Sequence, residues 1–147
     1  MRIYLDVCCL NRPYDDQSQD RVRVESEAVR RILARVRAMD WKWVTSDAVE
    51  SEVGRMQELS RLEKVRSLIE LANFNIKVDP SITVRQSEIR TLGFTLMDAM
   101  HLSCAEAAAV DVFLSTDDKL VRLALRLRNR LNVRVQNPVS WLEEVAR

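Results

Sequence analysis

Four carboxylates, Asp6, Glu52, Asp98 and Asp117, are spaced as a site that hydrolyses phosphodiesters would space them. Asp6 ends the apolar run Arg2-Ile3-Tyr4-Leu5. Glu52 follows the run Trp43-Val44-Thr45-Ser46. Asp98 lies at the start of a long apolar helix, and Asp117 ends Val112-Phe113-Leu114-Ser115-Thr116. Residues so far apart in the chain meet only if it folds as a parallel α/β sheet, whose ligands bind beyond the carboxyl ends of the strands. Clustered acids repel one another unless a divalent cation holds them. Four such oxygen donors suit Mg²⁺ or Mn²⁺, which can generate an attacking hydroxide and stabilise charge on a scissile phosphate.

Each acid also has a plainer reading. Asp6 could open a turn, but Val7-Cys8-Cys9-Leu10 beyond it is apolar, and a carboxylate between two apolar stretches is costly unless paired or metal-bound. Asp98 completes the capping box Thr95-Leu96-Met97-Asp98. Asp117 can cap the helix after it, and Asp118 could do either job, so the choice between them stays open. Glu52 lies inside its helix and caps nothing, with Glu50 as a competitor. His101, one turn beyond Asp98, reads as a core histidine hydrogen-bonded to a neighbour, because ligand histidines usually come with others. Ser115 and Thr116 could support the metal's waters or serve as caps. Cys8, Cys9 and Cys104 read as small core residues, and Trp41 and Trp43 as core or interface.

The elements that must position these residues alternate along the chain. Residues 2–6 form a short buried strand, and 7–20 a polar loop. A helix spans 21–39, with Val29, Ile32, Leu33 and Val36 on one face. Residues 41–45 are a second strand, and Ser46 suits the N-cap of helical structure that runs to about 72 with a break near Gly54. Asn73 to Val78 form a third strand, with Phe74, Ile76 and Val78 on one face. Pro80 and Ser81 open a helix to Leu92, which Gly93 ends. Thr95 caps a helix to about Ala109, apolar nearly all round. Residues 111–115 are a fourth strand, 117–131 a basic amphipathic helix and 132–136 a fifth strand. Pro138 starts a last helix. Such alternation predicts βαβ units with helices on both faces of the sheet.

Size and composition fit that plan. The 147 residues are one domain's worth, and 47% are apolar, enough for a core. No apolar run reaches the roughly 18 residues of a membrane helix, and the first residues begin a strand with no secretion leader. Three cysteines, two of them adjacent, predict a reducing, cytoplasmic setting. Net charge is +1, but arginine outnumbers lysine 19 to 4. Arg122, Arg126 and Arg130 would form one helical stripe, and Arg30, Arg31, Arg35 and Arg37 crowd another helix. Such stripes are solvated faces or, because guanidinium forks match phosphate oxygens, phosphate contacts. Arg122 and Arg126 are the candidates for RNA.

The pattern resembles the PIN-domain family of metal-dependent nucleases over essentially the whole chain. The resemblance rests on Ile3-Tyr4-Leu5-Asp6, Ser46 through Glu52, Leu96-Met97-Asp98-Ala99-Met100-His101-Leu102 and Phe113-Leu114-Ser115-Thr116-Asp117. It implies a three-layer α/β/α fold with a five-stranded parallel sheet. Asp6, Glu52, Asp98 and Asp117 would be the catalytic, metal-binding acids, and Ser115, Thr116 and Asp118 their supports. The implied reaction is Mg²⁺-dependent hydrolysis of single-stranded RNA, leaving a 5′-phosphate. Many small members are toxins of toxin–antitoxin pairs (the VapC-like ribonucleases), which commonly dimerise and are silenced by an antitoxin. One position departs from the family, which often has Ser or Thr directly after its first Asp; here it is Val7.

Two other readings compete. A PIN-like domain that binds RNA or a partner without cutting would suit Val7. A phosphoacceptor receiver domain would need a Lys after the last strand, where this chain has Asn137-Pro138.

Overall fold

The computed structural model describes residues 1–146. Five strands form one sheet: β1 Arg2–Leu5, β2 Lys42–Ser46, β3 Phe74–Ile76, β4 Val112–Leu114 and β5 Val135–Gln136. Their order is β3-β2-β1-β4-β5, and every pairing is parallel. The central strand is therefore the first in the chain. Ile3, Tyr4 and Leu5 pair with Val112, Phe113 and Leu114, and all six are fully buried. Continuous burial on both faces is what a parallel sheet between helices requires.

Among the described residues eight α-helices accompany the sheet: α1 Val7–Asn11, α2 Asp20–Arg37, α3 Asp47–Val53, α4 Leu59–Ile69, α5 Pro80–Thr91, α6 Leu96–Ala107, α7 Asp118–Arg126 and α8 Pro138–Val145. In the three-layer α/β/α arrangement α2 packs on α8, while α5 packs on α6. Trp41 and Trp141 close one end of the core, their rings 4.8 Å apart. Both candidate interface tryptophans are core residues, for Trp43 is fully buried.

Most expected elements form, with instructive differences. The expected loop 7–20 begins with α1, followed by a 3₁₀ turn at Arg12–Tyr14. Val7, Cys9 and Leu10 are buried, so the apolar run after Asp6 makes helix because burial and a cap outweigh the turn signals around it. β3 is shorter than expected and lies at the sheet edge. Phe74 remains half exposed, with the Arg2 guanidinium 5.7 Å from its ring centre. The basic helix ends at Arg126 rather than 131, and a 3₁₀ turn covers Arg128–Arg130. The chain leaves the helix there so that Leu131 and Val133 can enter the core. Arg130 consequently falls off the stripe of Arg122 and Arg126.

Helix ends follow local chemistry. Gly93, at φ 113°, ends α5 in a conformation that a side chain would strain. Asp79 caps the same helix, accepting from Ile82 N–H at 2.9 Å. Asp79→Ala should lower stability by about 1 kcal/mol. Urea denaturation at neutral pH checks this: the midpoint should fall with the slope unchanged.

Candidate active site

Asp6 stands where β1 passes into α1. Its N–H bonds to Leu114 C=O at 2.9 Å, extending the β1–β4 pairing by one residue. Its Oδ1 accepts from Val7 N–H at 2.9 Å, which caps α1. Its Oδ2 accepts from Ser115 Oγ at 2.8 Å and from the Cys8 thiol at 3.4 Å. Ser115 also accepts from Asp117 N–H at 3.1 Å, so one hydroxyl joins the ends of β1 and β4. It supplies from across the sheet the kind of hydroxyl that Val7 lacks. Burial pushes the Asp6 pKa up; Glu52's charge adds to this and His101 opposes it.

Glu52 comes from α3, which Ser46 starts by accepting from Ala48 N–H and Val49 N–H. Glu50 is exposed, whereas Glu52 turns inward. His101 Nε2 lies 2.8 Å from Glu52 Oε1, and its Nδ1 lies 2.8 Å from Tyr4 Oη. The histidine is buried and hydrogen-bonded, as expected, and its neighbour is a candidate site acid. Burial disfavours its charged form, yet the Glu52 hydrogen bond and the charges of Asp6, Glu52 and Asp98 raise its pKa overall. One ligand atom each from Asp6, Glu52 and His101 falls within a mutual 4.8 Å.

Asp98 and Asp117 lie outside that tight group but within electrostatic reach. The Asp98 pKa is raised to about 6, first by burial and then by the charges of Asp6 and Asp117, against a Thr95 hydrogen bond and His101. Its N–H donates to Thr95 Oγ1 at 3.1 Å, so Asp98 has its place in the cap while its carboxyl feels the charges of Asp6 and Asp117. Asp117 caps α7, accepting from Lys119 N–H and Leu120 N–H. Asp118 points elsewhere: both its oxygens grip Arg21, at 2.6 and 2.7 Å. Of the two neighbours, Asp117 is the one whose charge acts on Asp98.

Thr116 contributes backbone rather than its hydroxyl to the contacts around the site. Its N–H meets Cys8 Sγ at 3.3 Å, and its C=O accepts from Arg21 at 3.0 Å. Cys8, expected in the core, lies beside Asp6 and 3.4 Å from Ser115 Oγ. Sequence reasoning also misses Tyr4 and Ser46 as partners of the site; they touch at 2.6 Å behind His101. It misses the buried Glu25 as well, which binds Arg12, Arg21 and Asn137. A glutamate on the apolar face of α2, at the spacing of Val22 and Val29, is the available signal.

The cluster is an electrostatic liability by itself, because like charges packed together disfavour full ionisation. Its donors are mostly carboxylate oxygens, the chemistry a hard divalent cation takes. The PIN domain family model matches residues 3–125, from β1 into α7. The chain belongs to the PIN domain family. Among solved structures this PIN domain is similar to a chain in the crystal structure of VapBC2 from Rickettsia felis bound to a DNA fragment from their promoter. Identity is 14%, over 93% of this chain and 98% of that one, with a TM-score of 0.59; at that identity the likeness speaks for the fold. Among curated proteins nothing matches. Membership in the PIN family sets aside the receiver reading.

Proposed function

We propose that the protein is a Mg²⁺-dependent endoribonuclease, with Mn²⁺ as substitute, which hydrolyses phosphodiester bonds in single-stranded RNA. The observation carrying this reading is the cluster of Asp6, Glu52 and His101, whose ligand atoms lie within 4.8 Å of one another, supported by the charges of Asp6 and Asp117 that act on Asp98. Asp6, Glu52, Asp98 and Asp117 would hold the cation. A bound divalent cation lowers the pKa of its water and stabilises charge on the phosphate. Ser115 holds the Asp6 carboxylate and the Asp117 backbone in register.

In this reading the protein is the toxin of a type II toxin–antitoxin pair. The similarity to a chain of a VapBC2 complex supports an antitoxin partner, and a homodimer is what the family resemblance implies. A cytoplasmic setting is supported by three free cysteines. Among the described residues no helix is long and apolar enough to cross a membrane.

The test is cleavage of a mixed-sequence, end-labelled single-stranded RNA in Mg²⁺ or Mn²⁺, with an EDTA control. Metal-dependent cutting is expected. Metal binding without cutting of RNA, alone or after removal of any co-purified partner, would favour the non-cutting reading.

Arg122 and Arg126, with Lys119, line a groove of about 630 Å³ to which Leu92 and Gly93 also contribute. Both arginines are exposed and lie on α7, the helix that Asp117 caps. Replacing both with Ala should weaken RNA binding. It should also flatten the slope of log affinity against log salt by about 0.7 for each phosphate no longer neutralised. An unchanged slope in fluorescence-anisotropy titrations would return them to a solvated face.

A further inference from the structure

A buried relay of hydrogen bonds runs from the N-terminus of α3 to Glu52. Ser46 Oγ accepts from Ala48 N–H at 3.2 Å and from Val49 N–H at 3.4 Å. Those bonds use both lone pairs of the hydroxyl. The proton in its 2.6 Å contact with Tyr4 Oη must then be Ser46's own. Cys104 also lies against Ser46, but sulfur is a weak acceptor and competes poorly for that proton. Tyr4, having accepted from Ser46, directs its own proton to His101 Nδ1 at 2.8 Å. A neutral imidazole that accepts at Nδ1 carries its hydrogen on Nε2. Nε2 faces Glu52 Oε1 at 2.8 Å. Ser46, Tyr4 and His101 are fully buried, so the chain itself has to satisfy each group.

We infer that His101 is a positioning residue that donates Nε2–H to Glu52, and that it does not ligate metal despite lying within 4.8 Å of the Asp6 and Glu52 oxygens. The relay fixes one Glu52 oxygen and leaves the other for a cation. It also withholds the one nitrogen that would favour zinc-like ions over Mg²⁺. Its bearing on function rests on the metal-centre reading above; the placement of the protons does not.

His101 is the only histidine in the chain, so a ¹⁵N-histidine label reports one imidazole. Long-range ¹H–¹⁵N spectra of the metal-free protein, taken with the ring neutral, should show hydrogen on Nε2 and a bare Nδ1. Zn²⁺ should not strip the Nε2 hydrogen. A bare Nε2, or its deprotonation by Zn²⁺, overturns the inference. Tyr4→Phe removes the donor to Nδ1, and the ring should then populate both tautomers. Zn²⁺ affinity relative to Mg²⁺ should rise at least about tenfold, the scale on which changes beside a metal ligand are felt. A spectrum and selectivity identical to wild type also overturn it. His101→Gln, which keeps a side-chain donor, should hold Mg²⁺ better than His101→Leu, which should lose about 10–100-fold; equal losses count against donation. Absence of RNA cleavage in the wild type would remove the nuclease reading, while the ring spectra would still decide where the proton lies.

Discussion

Asp98→Asn should abolish metal-dependent RNA cleavage and, in the metal-free protein, raise the melting temperature. Asn keeps the shape of the side chain and loses its charge. Loss of a candidate ligand should cost more than the roughly 10–100-fold seen when an outer-sphere partner is removed. The gain in stability has a separate cause. Asp98 ionises near 6 in the fold, against an ordinary value of 3.8, because burial and the charges of Asp6 and Asp117 penalise its anion. At pH 7 the native state bears that penalty, at most about 3 kcal/mol at 1.36 kcal/mol per pKa unit. Relief of each kcal/mol should raise the melting temperature by about 2–4 °C at this size. Cleavage rates and calorimetry on the same samples separate the possibilities. Undiminished cleavage removes Asp98 from the site. Lost cleavage with a lowered melting temperature makes it a structural residue only.

In EDTA, the protein should be more stable at pH 5 than at pH 7.5, and Mg²⁺ should narrow or reverse that order. Between about 4 and 6 the folded protein keeps a proton on Asp98 that the unfolded chain has released. The native state binds more protons there, so stability falls as pH rises. Asp6 and His101, whose pKa values are also raised, act in the same direction, each losing its contribution as pH climbs through its folded pKa. Asp16, Asp79 and Asp118 are shifted down; they titrate below this window, are ionised in both states throughout it and leave the difference unchanged. Asp98 alone accounts for at most about 1.4 kcal/mol of the difference between the two pH values, because part of its shift, from 3.8 up to 5, lies below the window. A cation binds the ionised site, so its stabilisation grows with pH, reaching about 2.7 kcal/mol at a hundred times its dissociation constant. Calorimetry at the two pH values, with EDTA and with Mg²⁺, checks both halves. A metal-free melting temperature that climbs from pH 5 to 7.5 would rule out the crowded-acid picture.

The fold is legible in the sequence wherever apolar periodicity and end signals agree. Ser46, Thr95 and Gly93 mark helix ends because their local chemistry suffices. α1 is hidden because Asn11, Pro13 and the Asp15-Asp16 pair speak for loop, while the burial that overrules them comes from elsewhere in the fold. The end of α7 is hidden for the same reason, since Leu131 is drawn inward by the core. In the site, the order of the acids can be read, but not which neighbour faces inward. Arg21, far away in sequence, engages Asp118 and leaves Asp117 to face Asp98. Residue type alone places Cys8 and Tyr4 in the core, yet their polar atoms touch Ser115 and His101. Side-chain type reports burial well and says little about which polar neighbour a buried atom meets.

The pairing of β1 with β4 also sets a clock. Asp6 obtains its Ser115 hydroxyl and its backbone bond to Leu114 from residues made more than a hundred positions later. Closing so long a loop is slow, and it cannot begin until the later segment exists. At translation speeds of about 5–20 residues per second, a ribosome that has just made Asp6 needs several seconds or more to reach Ser115. Throughout that interval the nascent chain carries its first acid without the surroundings that hold it in place. On the ribonuclease reading proposed above, an unfinished copy therefore has no assembled site until β4 has been made and paired with β1.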